Sequence, residues 1–470
     1  LVFTLTPAIP GAVENAYAAE PGISITGSTA DSSGTGWSYV KSTKTLTLSG
    51  YNGGYIQGSG LNTLNLVLEG TSTITVDDEN AKGIALDNNQ NLNISGSGSL
   101  TINATDGSNL IYGIECNQFT MTSGTVTINA NSSKMVYGVN ANSSLSVTGG
   151  KLTANITGTT DGRGLYCKTG KLTVGSGAEV DVTVTNNGSS IMYGIYNEAH
   201  LASVTDNGDI ALAGTVTVTK NSTGTGNVYG IANNATNSNT DGVISITGGT
   251  VTVTNAHYGI VAFTKGHAAA FADVDISGGT VNIASTTSDS LGIVSWNNGV
   301  TISGGTVTAG TANQALWLFD QDSANKTGLV KITGDAKVSL TSTASKALIV
   351  QGDESTSSTR VHQINLTSGG SVTVKSTSSA YYAFPVQGYF NLGSSTKLTG
   401  GSFRAGDGTN AGGGRLFQAD STTKQVVVAY STLYTGASAV SVNGHSFASD
   451  KLYYKNGSAD TTDDSTDYNA

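Results

Sequence analysis

The sequence predicts an all-β chain wound into a single-stranded, right-handed parallel β-helix of about eleven coils with capped ends. Three observations lead there. A Ser/Thr-Gly-Gly-Thr-Val-Thr phrase recurs, as SITGGTVTVT at Ser245–Thr254, DISGGTVNIA at Asp275–Ala284 and TISGGTVTAG at Thr301–Gly310, with weaker copies from Ser146, Leu212, Lys331 and Thr367. Between the copies runs a second phrase, Tyr-Gly-Ile or Tyr-Gly-Val, at Tyr112, Tyr137, Tyr193, Tyr229 and Tyr258. Charged residues make up only 11% of the chain, where ordinary globular domains carry roughly 25%.

Each element of that prediction has a physical reason. In Thr250–Thr254 the valines alternate with threonines, and strand side chains have period two, so the valines face a core and the threonines face water. Turns between strands are rich in Gly, Asn, Ser and Asp. With its degenerate forms at Lys82-Gly83-Ile84, Gly164-Leu165 and Leu291-Gly292-Ile293 included, the second phrase returns at spacings between 25 residues (Ile114 to Val139) and 36 residues (Ile195 to Ile231). That irregularity argues against a propeller, whose blades keep an even length. A unit that cannot bury its apolar face alone must stack on its neighbours, and coils rising about 4.8 Å each do this in one dimension. Right-handed winding follows from the preference of parallel strand crossovers. The 62 glycines suit tight turns, and the 4 prolines suit strands that donate on both sides. A disordered Gly/Ser/Thr tract is the competing reading, and the strict apolar alternation argues against it.

The expected organisation along the chain is a truncated signal peptide at 1–19, an N-terminal cap at 20–60, the β-helix at 61–420, a C-terminal cap at 421–454 and a linker at 455–470. Leu1–Thr6 is apolar, and Ala16-Tyr17-Ala18 before Ala19-Glu20 has the form of a secretion cleavage site. A structured first strand is the alternative. Trp37, Tyr39, Tyr51 and Tyr55 can cover the first coil, and capping is needed because an open coil exposes pairing edges. Gln425–Val428 and Leu433–Phe447 read as the last strands. From Lys455 the composition turns to Asp, Ser and Thr, as expected of a linker toward a further anchoring or adhesive module.

Charge narrows the partners. A net charge of −10 and a pI near 4.9 disfavour nucleic acid and anionic membranes, which require clustered Lys and Arg. No other run reaches the roughly 20 apolar residues that span a bilayer. The mature chain is therefore expected outside the cell or at its surface, as a monomer, without membrane insertion and without a cofactor.

A β-helix can host several chemistries, and each demands its own residues in its own spacing. Cys116 and Cys167 occupy the same place in coils separated by the coil of Val139–Ala141. Two coils put them roughly 9 to 10 Å apart, beyond the ~7 Å reach of a disulfide. Two free, inward thiols are expected, with a disulfide as the alternative that a secreted location permits. By parity with Ile114, Tyr112 and the tyrosines stacked above it face inward or sit at a coil corner. They form either a structural stack or a sugar-binding ladder. Tyr166 and Tyr196 have the opposite, outward parity and are the ligand-binding candidates. Columns of Thr125/Thr127, Thr215/Thr217, Thr250/Thr252 and Thr306/Thr308 suggest an ice-binding face, but Lys151 and Asn282 interrupt them and Thr is favoured on exposed strands anyway. A polysaccharide hydrolase needs paired carboxylates roughly 5 to 10 Å apart, and a lyase needs clustered acids for Ca²⁺ with a base beside them. Asp77-Asp78-Glu79 and Asp320/Asp322 sit in turns without a partner in the next coil, and His257 and His267 belong to no catalytic spacing. No catalytic residue and no metal ligand is assigned.

The N-terminal segments Gly36-Trp37-Ser38-Tyr39, Lys44–Leu48, Gly50-Tyr51-Asn52-Gly53 and Leu64–Ile74 resemble the opening of secreted bacterial surface proteins of the "carbohydrate-binding domain-containing" type, themselves similar to pectate-lyase-like right-handed β-helices. The resemblance implies a cell-surface β-helix that binds polysaccharide or a host or cell-surface glycan, or acts in adhesion. It assigns no functional residue. A polysaccharide lyase or glycosidase with a diverged site is the alternative function, and a purely structural stalk a further one.

Overall fold

The computed structural model describes residues 22–376, apart from 78–80, 107–108, 199–207, 222–223, 235–241, 264–272, 297–298, 321–328, 346 and 353–360, and beyond 376 strand backbones alone. Every element among the described residues is a β-strand. Strands pair in parallel with their counterparts one coil away, which makes a parallel β-helix.

Each coil contributes three strands, hence three faces. The first face holds the strand before the Gly-Gly turn, such as Ile244–Ile246. The second holds the Thr-Val-Thr strand, such as Thr250–Thr254. The third holds the Tyr-Gly-Ile strand, such as Tyr258–Ala262. One inward column of the first face can be followed from coil to coil through Leu46, Leu66, Ile94, Met121, Val147, Val174, Leu212, Ile246, Ile276, Ile302, Ile332 and Leu366, and the strand backbone carries the register on to position 392. That is thirteen coils, not about eleven, and twelve steps of about 4.8 Å give a ladder about 58 Å long.

The surplus coils have an identifiable origin. Segment 20–60, expected as a cap, already contains parallel strands. Thr45–Ser49 pairs with the strand of Leu66, and Ile23–Thr26 pairs with Ile56–Ser59. The capping element is the antiparallel meander Ser32–Gly34, Trp37–Val40 and Thr45–Ser49. Tyr39 and Tyr51 are buried in the interior, and Trp37 packs against it, whereas Tyr55 stays 40% exposed and covers less than expected. At the other end Gln387–Leu392 pairs antiparallel with Lys424–Ala429, so parallel stacking stops there.

The interior is one continuous apolar column built from the inward positions of all three faces. The turn between the first and second faces explains the Gly-Gly of the repeat. Its second glycine takes a positive φ, +63° at Gly249, +77° at Gly279 and +75° at Gly305, where a Cβ is strained. Cys116, Ala141 and Cys167 are consecutive in register, and both thiols are free and buried, as the two-coil separation requires.

Candidate functional site

The third face departs from simple alternation. Gly113, Gly138, Gly164, Gly194, Gly230 and Gly259 occupy one column, and there the backbone presses against the interior. A Cβ built on Gly230 would lie 2.5 Å from Val253 Cγ1 and 2.6 Å from the Gly259 carbonyl oxygen. Glycine therefore takes an inward position directly before another inward residue, Ile231. The tyrosine before it is turned outward. This corrects the inward or corner placement expected for Tyr112, Tyr137, Tyr193, Tyr229 and Tyr258, because parity counted from the isoleucine fails across the glycine.

Two outward columns result. One runs Lys82, Tyr112, Tyr137, Arg163, Tyr193, Tyr229, Tyr258 and Leu291. The other runs Glu115, Asn140, Tyr166, Tyr196, Ala232, Val261, Val294 and Trp317. Together they make an aromatic ridge that is separate from the interior core. Tyr166 and Tyr196 thus have the outward parity expected of them, but each is only 5% exposed. The reason is mutual stacking, along the axis within a column and across the two columns within a coil. Tyr112 and Tyr137 lie 5.1 Å apart at 18°, Tyr166 and Tyr196 5.7 Å apart at 10°, and Tyr193 and Tyr196 4.2 Å apart at 19°. In that half the ring faces cover one another. Further along, the rings splay: Tyr193 meets Tyr229 at 90° and Phe263 meets Trp296 at 60°.

Arg163 occupies a tyrosine position and holds the ridge together electrostatically. Its guanidinium lies 4.3 Å from the Tyr166 ring centre, 5.0 Å from that of Tyr196 and 5.3 Å from that of Tyr137, within cation–π range. It pairs with Asp161 at 3.3 Å and Glu198 at 3.5 Å. The Tyr166 hydroxyl donates to Glu198, and the Asn234 amide donates to the Tyr196 hydroxyl. Both hydroxyls are therefore engaged within the protein.

The same stacking predicts an alkaline transition. Burial, reinforced by the Glu115 carboxylate, pushes the Tyr112 phenol up to about 12, and burial beside Tyr258 pushes Tyr229 up to about 12. Between pH 10 and 12 the folded chain then holds protons that the unfolded chain has lost. The stabilisation is complete below pH 10 and falls as pH rises toward 12. Absorbance titration of tyrosinate should show a late-ionising group whose titration coincides with loss of the β-sheet circular dichroism. Ionisation of every tyrosine near pH 10 in an intact fold would contradict a buried ridge.

A different feature runs along the corner where the second face turns into the third. Two polar columns meet there. Thr105, Asn131 and Thr157 are in register one coil apart, following Asp77 of the coil below, and Ser133, Thr159 and Asn187 form the column beside them. They line a cleft of ≈ 510 Å³. Five successive coils contribute, so the cleft extends about 19 Å along the axis, four steps of about 4.8 Å. Its rim is ordered from within the chain: the Thr159 hydroxyl donates to the Ser133 carbonyl, and Lys134 N–H donates to the Ser132 hydroxyl at 3.0 Å. Alongside it on the second face, Asn103, Asn129 and Asn155 form an amide ladder, Asn129 Nδ2 donating to Asn103 Oδ1 and Asn155 Nδ2 to Asn129 Oδ1, both at 2.9 Å. Sequence reasoning missed these residues. Aligning the repeats on the valines of the second strand, then reading the residues that follow, would have brought the Thr/Asn columns into view.

The remaining sequence candidates resolve as follows. The threonine columns are in register but are broken by an ion-pair cluster, Lys151 with Glu179 at 2.5 Å and with Asp181 at 2.7 Å. His257 is buried, and its Nδ1 accepts from Val228 N–H at 3.0 Å. The signal segment 1–19, Asp78, Glu79, Asp322 and His267, as well as most of 455–470, lie outside the described residues. Among the described residues no group of three His, Cys, Asp or Glu side chains could hold a metal ion, and no helix is long and apolar enough to cross a membrane. Comparison with family models, with curated proteins and with solved structures gives no match.

Proposed function

We propose that this chain is a glycan-binding β-helix of the cell exterior, and that its ligand is a polysaccharide lying along the corner cleft. The observation that carries the reading is the Thr/Asn/Ser cleft itself, lined from five successive coils, with Thr105, Asn131 and Thr157 in register. Hydroxyls and amides both donate and accept, as a sugar's hydroxyls do. A chain laid along the axis meets an equivalent donor or acceptor at every coil, about 4.8 Å on, close to the length of one pyranose ring. The splayed rings Phe263, Trp296 and Trp317 support the reading as a second, apolar contact surface on the adjoining face. The resemblance at Gly36–Ile74 and the secretion-type N-terminus support the extracellular setting.

Affinity electrophoresis tests the reading. The chain is run through gels carrying pectin, xylan, mannan or a soluble β-glucan. Retardation by at least one polymer is expected. Migration unchanged in all of them would remove the basis for a glycan-binding role and leave the stalk or protein-binding adhesin.

A further inference from the structure

The corner that carries the cleft changes character one coil beyond it. The last position of the second-face strand is filled in successive coils by Val76, Ala104, Ala130, Ile156 and Val184, and then by Lys220. The five residues before it are buried or nearly so, as an inward position demands. Lys220 is half-buried, and no carboxylate among the described residues lies within ion-pair distance of it, whereas Lys82, Lys151 and Lys171 all have one. An ammonium drawn partly out of water without a counter-charge is costly, and burial accordingly lowers its pKa. Lys220 lines a cavity of ≈ 300 Å³ whose other walls are polar and uncharged: Asn221, Asn255, Thr286 and Thr287. Asn255 is held with φ +60°, a conformation few non-glycine residues adopt. Its N–H is occupied by the Ala284 carbonyl at 2.7 Å, and its own carbonyl accepts from the Thr287 hydroxyl at 3.4 Å. The Asn255 backbone and the Thr287 hydroxyl, which also meets the Ser285 hydroxyl at 3.1 Å, are thus engaged, while the lining presents the Thr286 hydroxyl, two side-chain amides and one cation.

We propose that this cavity is an oxyanion subsite in which Lys220 receives a carboxylate or sulfate group, carried by the glycan that lies in the adjoining cleft. A point charge surrounded by neutral hydrogen-bonding groups supplies what such an anion needs: one counter-charge and several directional contacts. Only the identity of the carrier rests on the glycan reading. The anion site stands on the cavity and the uncompensated lysine.

His257 provides a local probe: burial lowers its pKa first, the Lys220 charge lowers it further, and Asp289 raises it. The imidazole ring protons of the full chain are followed by NMR against pH in sodium glucuronate, in sodium sulfate and, at equal ionic strength, in sodium chloride. Glucuronate or sulfate is expected to raise the His257 pKa above its value in chloride. In Lys220→Gln the pKa should start higher and stop responding, and in Lys220→Arg the response should persist. A wild-type pKa that is the same in all three salts would overturn the subsite, as would a Lys220→Gln response equal to the wild type.

The second arm uses affinity electrophoresis with alginate, dextran sulfate and neutral dextran. Retardation by alginate points to the carboxylate and retardation by dextran sulfate to the sulfate. Lys220→Gln should weaken binding of the retarding polymer about tenfold, the effect of losing one charge-assisted contact, and leave any binding of neutral dextran unchanged. Acidic-polymer binding that Lys220→Gln leaves intact would overturn the proposal. A His257 response without binding of any polymer would uphold the anion site and refute the glycan as its carrier.

Discussion

Alanine at Gly230 is expected to lower the stability of the β-helix by about 3 kcal/mol, the upper end for overpacking. The added methyl group would sit 2.5 Å from Val253 Cγ1 and 2.6 Å from a backbone oxygen of the next coil. Neither side can yield easily, since Val253 is fully packed in the interior and the Gly259 backbone belongs to a ladder strand. The matched control is Gly310→Ala. That glycine has nothing nearer than the Ile283 carbonyl oxygen at 4.0 Å, and its φ is not among the positive ones. Its replacement should change stability by no more than about 0.5 kcal/mol. The midpoint of urea unfolding, followed by circular dichroism, separates the two. Equal midpoints would mean that the third face does not press on the interior as described, and the outward turn of the tyrosines would lose its cause.

The second large effect concerns a buried amide. Asn197 continues the inward column of Cys116, Ala141 and Cys167, where an apolar residue is the rule. It is fully buried, and its Nδ2 donates to the carbonyls of Gly170 at 2.7 Å, Gly208 at 2.9 Å and Asp209 at 3.3 Å. Asn233, one coil on, reaches the Gly208 carbonyl at 3.1 Å. Asn197→Leu keeps the volume and removes the donor. Gly208 keeps the Asn233 amide and Asp209 keeps the Leu172 N–H at 2.9 Å, so the Gly170 carbonyl is the one that loses its partner. A buried carbonyl so left costs roughly 1–3 kcal/mol, and a loss of about 2 kcal/mol is expected. Cys167→Ala, one coil below in the same column, removes a buried thiol that donates to the Lys171 carbonyl at 3.5 Å and should cost about 1 kcal/mol. Amide hydrogen exchange should speed up around Gly208 and Asp209 in the first variant and not in the second. An Asn197→Leu chain as stable as the wild type would show that the Gly170 carbonyl finds another partner.

The architecture was legible in the sequence because period-two alternation and the Gly-Gly turn are local signals that every coil repeats. The free thiols were legible for the same reason, since counting coils between Cys116 and Cys167 needs only the repeat. What failed was parity across Tyr-Gly-Ile. A glycine can take an inward place without a side chain to show it, so the count from Ile114 back to Tyr112 slipped by one face. The exposure of Tyr166 and Tyr196 was illegible for another reason. It depends on Arg163 standing in a tyrosine column and on rings stacking between coils, contacts far apart in sequence. The coil count fell short because the first coil is short and interrupted by a hairpin, so Asn52–Gly53 carries no recognisable pattern. The corner cleft went unread because Asp77, Asn131 and Asn187 look like ordinary turn residues until register aligns them. Lys220 likewise reads as a charge ending a strand, and only the buried residues beneath it show the place to be an inward one.

We propose the corner cleft, and not the tyrosine ridge, as the place where the glycan lies. This placement is tested most directly by comparing two double variants against the polymer that retards the wild-type chain. Asn131→Ala with Asn187→Ala removes amides from the cleft without touching the interior. Tyr166→Phe with Tyr196→Phe removes ridge hydroxyls that are already engaged within the protein. Affinity measured by isothermal titration should fall about tenfold or more in the first, the consequence of losing two direct hydrogen-bonding groups, and stay within about twofold in the second. Full affinity in the cleft variant together with lost affinity in the ridge variant would contradict the account and move the binding site to the third face.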